Sequence, residues 1–405
     1  MNVTTKLNFK TSLALLLSPM TMLSQSSTLP ANAPARERSI APGSGRTYNS
    51  HQVNSDRSIT FRLDAPNAHR VELVTDITRD VLPLAKGEDG LWSVTTSPLP
   101  PAIYAYAFSV DGVDQPDPKN PWLKANLVSN ASMVLVPDAQ AKPWEPTDVP
   151  HGTVHSHLYT SRVIEGMPAK QNRYLVYTPP AYDTNATTKY PVLYLLHGWS
   201  DSEISWTQIG QANLIMDSLI GARKIEPMVV VMPLSYGEME FVEKGINVWN
   251  DSTAILANLM HFQQALLNEI LPQVESTYHV RNDRDGRALA GQSMGGLESL
   301  VIGFNHPDTF GWIGGFSSAV TVLNTKEGST LLSKTGPRTA QPRLLWISCG
   351  TDDPLLSDNR AVTKMLTERT LSVTSIETPG GHTWPVWRDD LIRFTPLLFR
   401  NAQRS

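Results

Sequence analysis

The front part of the chain alternates apolar and polar side chains over short runs. The segments "SITFRLDAP", "RVELVTD", "LWSVTTSPL" and "AIYAYAFSVDG" lie between Pro, Gly, Asn and Asp, and no helical period interrupts them. This pattern predicts a small all-β, immunoglobulin-like sandwich over residues 39–137. Tyr104, Tyr106 and Phe108 share one face of a predicted strand, and we expect that face to lie in the sandwich core. The isolated tryptophans that would be candidates for sugar contact are Trp92, Trp122 and Trp144.

A different pattern begins after Tyr159, where β-rich apolar runs alternate with amphipathic stretches. The runs are "RYLVYTPP", "PVLYLLHG", "MVVVMPL", "RALAGQSM", "WIGGFSSA", "RLLWISCG" and "SVTSIETPGG", and the longest amphipathic stretch is "TAILANLMHFQQALLNEILPQVESTY". Strands buried on both faces and separated by helices predict an α/β fold, with a doubly wound and mostly parallel sheet, over residues 153–405. The proline-rich segment between the two regions predicts a linker over residues 138–152.

The N-terminus carries a targeting pattern. Lys6 and Lys10 precede "TSLALLLSPMTML", an apolar run too short to span a bilayer comfortably. We therefore expect a signal peptide and leader over residues 1–33, secretion to the periplasm or the extracellular space, and no membrane anchor. Cys349 is the sole cysteine, so the chain can form no internal disulfide.

Charge and composition narrow the range of partners. The formal net charge is -4 and no basic run occurs, so nucleic-acid binding is not expected. His151, His155 and His157 in "HGTVHSH" suggest a metal site, but zinc needs a further ligand and no partner cluster lies nearby in the sequence. A solvated histidine-bearing strand is the favoured interpretation, and we expect neither a metal nor a cofactor.

The stretch from Gly291 to Gly295 fits the pattern G-x-S-x-G. It follows the apolar run "RALA" and opens the predicted helix "GGLESL", which is the strand and helix context that a nucleophile elbow requires. The turn is so sharp that side chains at both flanking positions would collide, which explains the two glycines. Ser293 is therefore the candidate nucleophile, and the helix N-terminus helps to stabilise nearby negative charge.

A serine nucleophile needs a base, and in this fold the chain order is serine, acid, histidine. Only His306 and His382 follow Ser293. His306 lies toward the far end of the helix that Ser293 opens, roughly 20 Å away, so His382 is the candidate base. Asp352 and Asp353 end a predicted strand in "GTDDP", and either can orient the imidazole.

An oxyanion also needs backbone donors. One is expected from the N–H of Met294, the residue after the nucleophile, and the second from Trp199 in the loop "LLHGWSD". His197 is expected to support this loop. Trp199, Trp206 and Trp384 lie near the predicted site in the sequence, and they indicate either a substrate pocket or packing at strand ends.

Four motifs in order resemble the esterase D group of α/β-hydrolases, in particular the feruloyl and acetylxylan esterases of carbohydrate esterase family 1. They are "YPVLYLLHGWSD", "RALAGQSMGG", "CGTDDP" and "GGHTWPVWRDDL". The resemblance covers the chain from about Tyr159 onward. It implies that Ser293 is the nucleophile, Asp353 the acid and His382 the base, and that the Met294 and Trp199 amides form the oxyanion hole.

The front part is similar to early-set sandwich modules related to carbohydrate-binding module family 48, through "ITFRLDAPNAHRVELVTD", "GLWSVTTSPLPPAIYAYAFSVDG" and "DPKNPW". Such a module either contacts glycan or covers the active site. We therefore expect a secreted serine esterase that acts, through an acyl-enzyme, on feruloyl or acetyl esters of cell-wall polysaccharide such as xylan. The alternatives are an enterochelin-type siderophore esterase, an acyltransferase of the mycolyltransferase type and a non-catalytic glycan-binding protein.

Overall fold

A computed structural model describes residues 46–78, 80–324, 328, 331 and 341–400. The predicted signal peptide and leader, residues 1–33, lie outside the described residues. The described segment from 51 to 136 folds into two antiparallel sheets, in the orders β1-β2-β6-β5 and β4-β3-β7-β10-β9, and β8 pairs with β7. The strands are β1 His51–Val53, β2 Ile59–Asp64, β3 Val71–Thr75, β4 Leu82–Pro83, β5 Ala85–Lys86, β6 Leu91–Thr95, β7 Ala102–Val110, β8 Val113–Gln115, β9 Leu123–Lys124 and β10 Ala131–Val136.

The two sheets share one hydrophobic core. Phe61 of β2 packs in it with Tyr104, Tyr106 and Phe108 of β7, so the core position predicted for these alternating aromatic residues is confirmed. Trp92 lies in the same core, and its indole N–H donates to the carbonyl of Ala65 at 2.9 Å. A sugar contact by Trp92 is therefore the wrong interpretation, because the ring is enclosed by the sandwich.

Strand β7 is buried on both faces. The side chain of Ile103 packs into the core of the second region together with Met133 of β10 and Trp144. A strand with apolar residues at every position is typical of burial on two sides, and "AIYAYAF" has that composition. The sandwich therefore packs directly on the α/β region, and Trp144, another candidate for sugar contact, is buried between them.

The second region is an eight-stranded sheet in the order β11-β12-β14-β13-β15-β16-β17-β18. Strand β12 is antiparallel to both of its neighbours, and the remaining pairs are parallel. The strands are β11 Thr153–Thr160, β12 Gln171–Thr178, β13 Val192–Leu196, β14 Val229–Pro233, β15 Arg287–Gln292, β16 Trp312–Phe316, β17 Leu344–Gly350 and β18 Thr374–Thr378. The predicted α/β class with a mostly parallel sheet is confirmed.

Helices cover both faces of this sheet. They are α1 Ser205–Gln208, α2 Ala212–Gly221, α3 Glu240–Glu243, α4 Ser252–Ala265, α5 Leu271–Thr277, α6 Met294–Asn305, α7 Leu356–Glu368 and α8 Trp384–Phe394. A π-helical turn, Leu266–Ile270, joins α4 to α5, where the sequence predicts one continuous helix. No helix in the described ranges is both long and apolar enough to cross a membrane. The predicted boundaries of sandwich, linker and α/β region stay predictions.

Candidate active site

The turn between β15 and α6 is as tight as the motif predicts. Ser293 has φ of 54° and ψ of -113°, a conformation that L-residues rarely adopt. A Cβ on Gly291 would lie 2.6 Å from backbone atoms of Gly295, and one on Gly295 would lie 2.6 Å from the carbonyl oxygen of His197. Backbone atoms on both sides therefore require glycine at the two flanking positions, and the serine stands at the tip of the turn.

Ser293, His382 and Asp353 form a hydrogen-bonded triad. The distance from Ser293 Oγ to His382 Nε2 is 2.9 Å, and that from His382 Nδ1 to Asp353 Oδ2 is 2.8 Å. An ionised carboxylate only accepts hydrogen bonds, so the Nδ1–H donates to Asp353 and Nε2 accepts the serine O–H. In this tautomer the imidazole can take the hydroxyl proton while the serine oxygen attacks an electrophile.

The Asp353 carboxyl is held in its ionised form. Burial acts to raise its pKa, but the hydrogen bond from His382, the charge of that imidazole and the N–H of Leu355 bring the pKa below its ordinary value. Its other oxygen accepts the Leu355 N–H at 2.8 Å, so both carboxylate oxygens have a fixed donor. Asp352, the alternative acid, is exposed. Asp353 is thus the carboxylate that contacts His382.

His382 follows β18, and an aromatic ring packs beside it. Trp387 of α8 meets the imidazole nearly edge to face, with ring centroids 5.0 Å apart. His306 lies at the C-terminal end of α6, at the opposite end of that helix from Ser293. Its position agrees with its elimination as a base.

The loop after β13 approaches Ser293 from the other side. A Cβ on Gly198 would lie 2.5 Å from the side-chain oxygen of Gln292, so glycine at this position lets the loop and that side chain lie close together. His197 is buried; its Nδ1–H donates to the Gly198 carbonyl at 2.8 Å, and its Nε2 accepts the Ser235 N–H at 2.9 Å. Burial lowers the pKa of His197 to about 4, so it stays neutral and fixes the loop.

Two cavities meet at Ser293 and His382. One, of about 560 Å³, has apolar walls formed mainly by Ile255, Ala319, Val322 and Leu355. The other, of about 260 Å³, has a mixed aromatic and polar lining: Lys124, Asn126, Trp199, Ser200, Asp201, Gln292, Trp384 and Trp387. Ile246 and Trp249 line both cavities.

The three tryptophans expected near the site take different positions in the structure. Trp199 and Trp384 line the smaller cavity. For Trp206 the pocket interpretation is wrong and the packing alternative holds, since its side chain is 1% exposed and its indole N–H donates to the Leu196 carbonyl at 2.8 Å. Its ring packs against Trp384 with centroids 5.0 Å apart, so Trp206 supports the cavity wall from behind.

Several lining residues were not predicted from the sequence, among them Lys124, Asn126, Trp249 and Trp387. Trp387 had a signal, because it lies three residues after Trp384, a spacing that places two side chains on one face of a helix. Lys124 had none, because strand β9 of the sandwich lies near the α/β region only in the folded structure and not in the sequence.

His151, just before β11, and His155 and His157 of β11 make separate contacts. The imidazole of His151 lies 2.9 Å from a carboxylate oxygen of Asp217, His155 contacts the Thr178 hydroxyl, and His157 contacts the Tyr278 hydroxyl. Within the described ranges there is no group of three or more His, Cys, Asp or Glu residues that could hold a metal ion.

An α/β-hydrolase fold with a serine, histidine and aspartate row defines a class of enzymes, and comparison with known proteins identifies the family within it. A family model described as "Putative esterase" matches residues 168–398, more than half of the chain. The chain belongs to this esterase family.

Similarity to individual proteins is consistent with that assignment. The chain is 27% identical over 351 residues to an endo-1,4-beta-xylanase/feruloyl esterase of Xylanibacter ruminicola, an alignment that covers 86% of this chain and 46% of that protein. The chain therefore spans about half the length of this relative. A CE1 ferulic acid esterase of Anaeromyces mucronatus superposes with a TM-score of 0.55 and 25% identity, over 63% of this chain and 93% of that one. These similarities support a carboxylic-ester hydrolase that resembles the carbohydrate esterases of family 1.

An enterochelin esterase of Shigella flexneri shares the fold over a longer stretch. It superposes with a TM-score of 0.64 and 20% identity, over 85% of this chain and 94% of that one.

Proposed function

We propose that the chain is a serine esterase in which Ser293 forms an acyl-enzyme that water then hydrolyses. The observation that carries this proposal is the hydrogen-bonded row of Ser293, His382 and Asp353 at the junction of two cavities. His382 takes the serine proton during attack, gives it to the departing alcohol, and then activates water in the same way. Asp353 holds the tautomer and stabilises the imidazolium.

The developing oxyanion is assigned to two backbone amides. Met294 is the first residue of α6, and the first N–H groups of a helix have no acceptor within the helix. Trp199 lies in the loop that Gly198 allows close to Gln292, beside the nucleophile. Donors aimed at this position stabilise the tetrahedral intermediate more than the ground state.

The favoured substrate is a feruloyl ester of cell-wall polysaccharide such as xylan. A cavity of about 560 Å³ with apolar walls fits an aromatic acyl group and is larger than an acetyl group needs. The smaller cavity, with Lys124, Asn126 and Asp201, offers the polar groups that a sugar hydroxyl would use. The relative from Xylanibacter ruminicola, named for xylanase and feruloyl esterase, supports this choice.

Secretion and the module assignment belong to the same proposal. The leader pattern over residues 1–33 supports export, and a polysaccharide substrate would be met outside the cell. We assign the sandwich, residues 39–137, to the early-set type related to carbohydrate-binding module family 48. Since Trp92 and Trp144 are buried, any glycan contact by this module would use other side chains.

A second candidate is siderophore ester hydrolysis, which the superposition on enterochelin esterase over both regions favours. Ferric tricatecholate siderophores are anionic and call for several cationic groups. Among the described residues that line the two cavities, Lys124 carries the single lysine or arginine charge. This lining supports the neutral feruloyl ester more than the siderophore.

The test is a substrate panel of methyl ferulate, acetylated xylan and enterobactin, run on the parent chain and on Ser293→Ala. We expect the highest kcat/KM on methyl ferulate and a loss of at least about 10³-fold in Ser293→Ala. Substantial activity in Ser293→Ala would refute the mechanism. A preference for enterobactin or acetylated xylan would leave the mechanism intact and refute the substrate.

A further inference from the structure

The loop between β9 and β10 brings the sandwich to the active site. The side-chain amide of Asn126 donates to Ser200 Oγ at 2.9 Å and to Asp201 Oδ1 at 3.1 Å, and the N–H of Leu127 donates to the Ser200 carbonyl at 2.7 Å. Ser200 and Asp201 directly follow Trp199. Three hydrogen bonds from the sandwich therefore end on the two residues beside the proposed oxyanion donor.

The orientation of the Asn126 amide follows from its surroundings. Its oxygen accepts the N–H groups of Val128 and Ser129 at 3.0 and 3.1 Å, which closes the turn of its own loop. Its nitrogen faces the carboxylate of Asp201, which can only accept. One side chain thus both shapes the sandwich loop and bonds the α/β region.

The contacted segment is strained and connected to the nucleophile. Ser200 has φ of 69°, in the left-handed region that a non-glycine residue occupies only when its surroundings hold it there. Asp201 continues the connection, because its second oxygen accepts the Gln292 side-chain amide at 3.0 Å. Gln292 immediately precedes Ser293, so the hydrogen-bond network runs from the sandwich to the residue before the nucleophile.

The sandwich itself is fixed at a second point. The guanidinium of Arg388 is fully buried and donates to the carbonyl of Ile103 in β7 at 2.7 Å and to that of Ile209 at 2.9 Å. Arg388 belongs to α8, whose Trp384 and Trp387 line the cavity. The sandwich, whose loop contains Asn126, is therefore hydrogen-bonded to α8 of the α/β region at a second, buried point.

We propose that the sandwich loop positions the oxyanion loop, with Asn126 as the positioning residue, so that the sandwich forms part of the catalytic apparatus even for esters that contain no sugar. This inference rests on the proposed role of the Trp199 amide. It assigns Asn126 an effect on kcat, because a displaced oxyanion donor weakens transition-state binding while leaving ground-state contacts in place.

The test is Asn126→Asp with p-nitrophenyl acetate, a substrate without a sugar. The variant keeps an oxygen for Val128 and Ser129, removes the donor, and sets a second carboxylate beside Asp201. We expect kcat to fall at least about ten-fold with KM changed by less than about two-fold. The matched control is Asn130→Asp, which adds the same charge to the same loop at an exposed position and keeps the oxygen that accepts the Asn126 N–H.

A second variant keeps the test decisive if Asn126→Asp does not fold. Ser200→Ala removes one acceptor from the α/β side, and we expect kcat to fall in the same direction, with the double variant losing less than the product of the two single losses. Unchanged kcat in folded Asn126→Asp, relative to Asn130→Asp, overturns the inference. If Asn126→Asp does not fold, unchanged kcat in Ser200→Ala overturns it. Activity in Ser293→Ala would instead refute the proposed function, so the two failures are distinguishable.

Discussion

The nucleophile turn and the cavity wall around it are built in opposite ways. Residues 291–295 are consecutive, and the backbone strain at Ser293 and both glycine requirements arise within that turn and its nearest neighbours. The wall comes from segments more than a hundred residues apart, represented by Lys124, Trp249 and Trp384. Bond-making chemistry is thus encoded locally, whereas the shape that selects the substrate depends on how the sandwich and the helices pack.

The largest expected effect tests the acid that completes the local chemistry. Asp353→Asn should lower kcat by about 10³- to 10⁴-fold, because the amide favours the wrong imidazole tautomer and no longer stabilises the imidazolium. Steady-state kinetics with p-nitrophenyl acetate would measure the loss.

The control is the same substitution at the neighbouring position. Asp352→Asn should stay within about two-fold of the parent, since Asp352 is exposed and Asp353 holds His382. A larger loss at Asp352 than at Asp353 would contradict the assignment of the acid.

A smaller loss of activity is expected from a substitution in the cavity wall, and the size of that loss should depend on the substrate. Trp249 lines both cavities and packs edge to face on Phe241, with centroids 5.3 Å apart. Trp249→Ala should reduce kcat/KM for methyl ferulate about ten-fold, or ~1.4 kcal/mol, because the aromatic acyl group loses a packing surface. Activity on p-nitrophenyl acetate should change less than about three-fold. Equal losses on both substrates would indicate a general disturbance of the site and not acyl selection.

The same contrast explains what the sequence can predict. The α/β sheet, the nucleophile turn and the choice of His382 over His306 follow from periodicity, chain order and helix length, which are local or one-dimensional quantities. The sequence left open whether Trp206 lines a pocket or packs behind it, because closeness in sequence to Trp199 does not reveal which side of a loop faces solvent. Lys124 and Asn126 could not be predicted at all, since the docking of β7 on the α/β region is a property of two packed surfaces.

The smallest expected effect concerns Asp201, the buried carboxylate that lies between the sandwich loop and the nucleophile turn. Burial raises the pKa of Asp201 from 3.8 to about 6, although Lys124, Asn126, Gln292 and the charge of His382 oppose the rise. A folded-state pKa above the unfolded value means that the stability contributed by the protonated form is fully present below pH 3.8 and is lost as pH rises through about 6.

Ionised Asp201 therefore costs the fold on the order of 1–3 kcal/mol at pH 8. Asp201→Asn removes the titration, and differential scanning calorimetry should show a gain in Tm of a few degrees at pH 8, relative to any change at pH 4.5. Asp217→Asn is the matched control, a buried carboxylate that contacts His151 and Tyr177 away from the site. If Asp201→Asn changes Tm equally at both pH values, ionised Asp201 does not destabilise the fold. The connection between the sandwich and the nucleophile then acts through hydrogen-bond geometry alone.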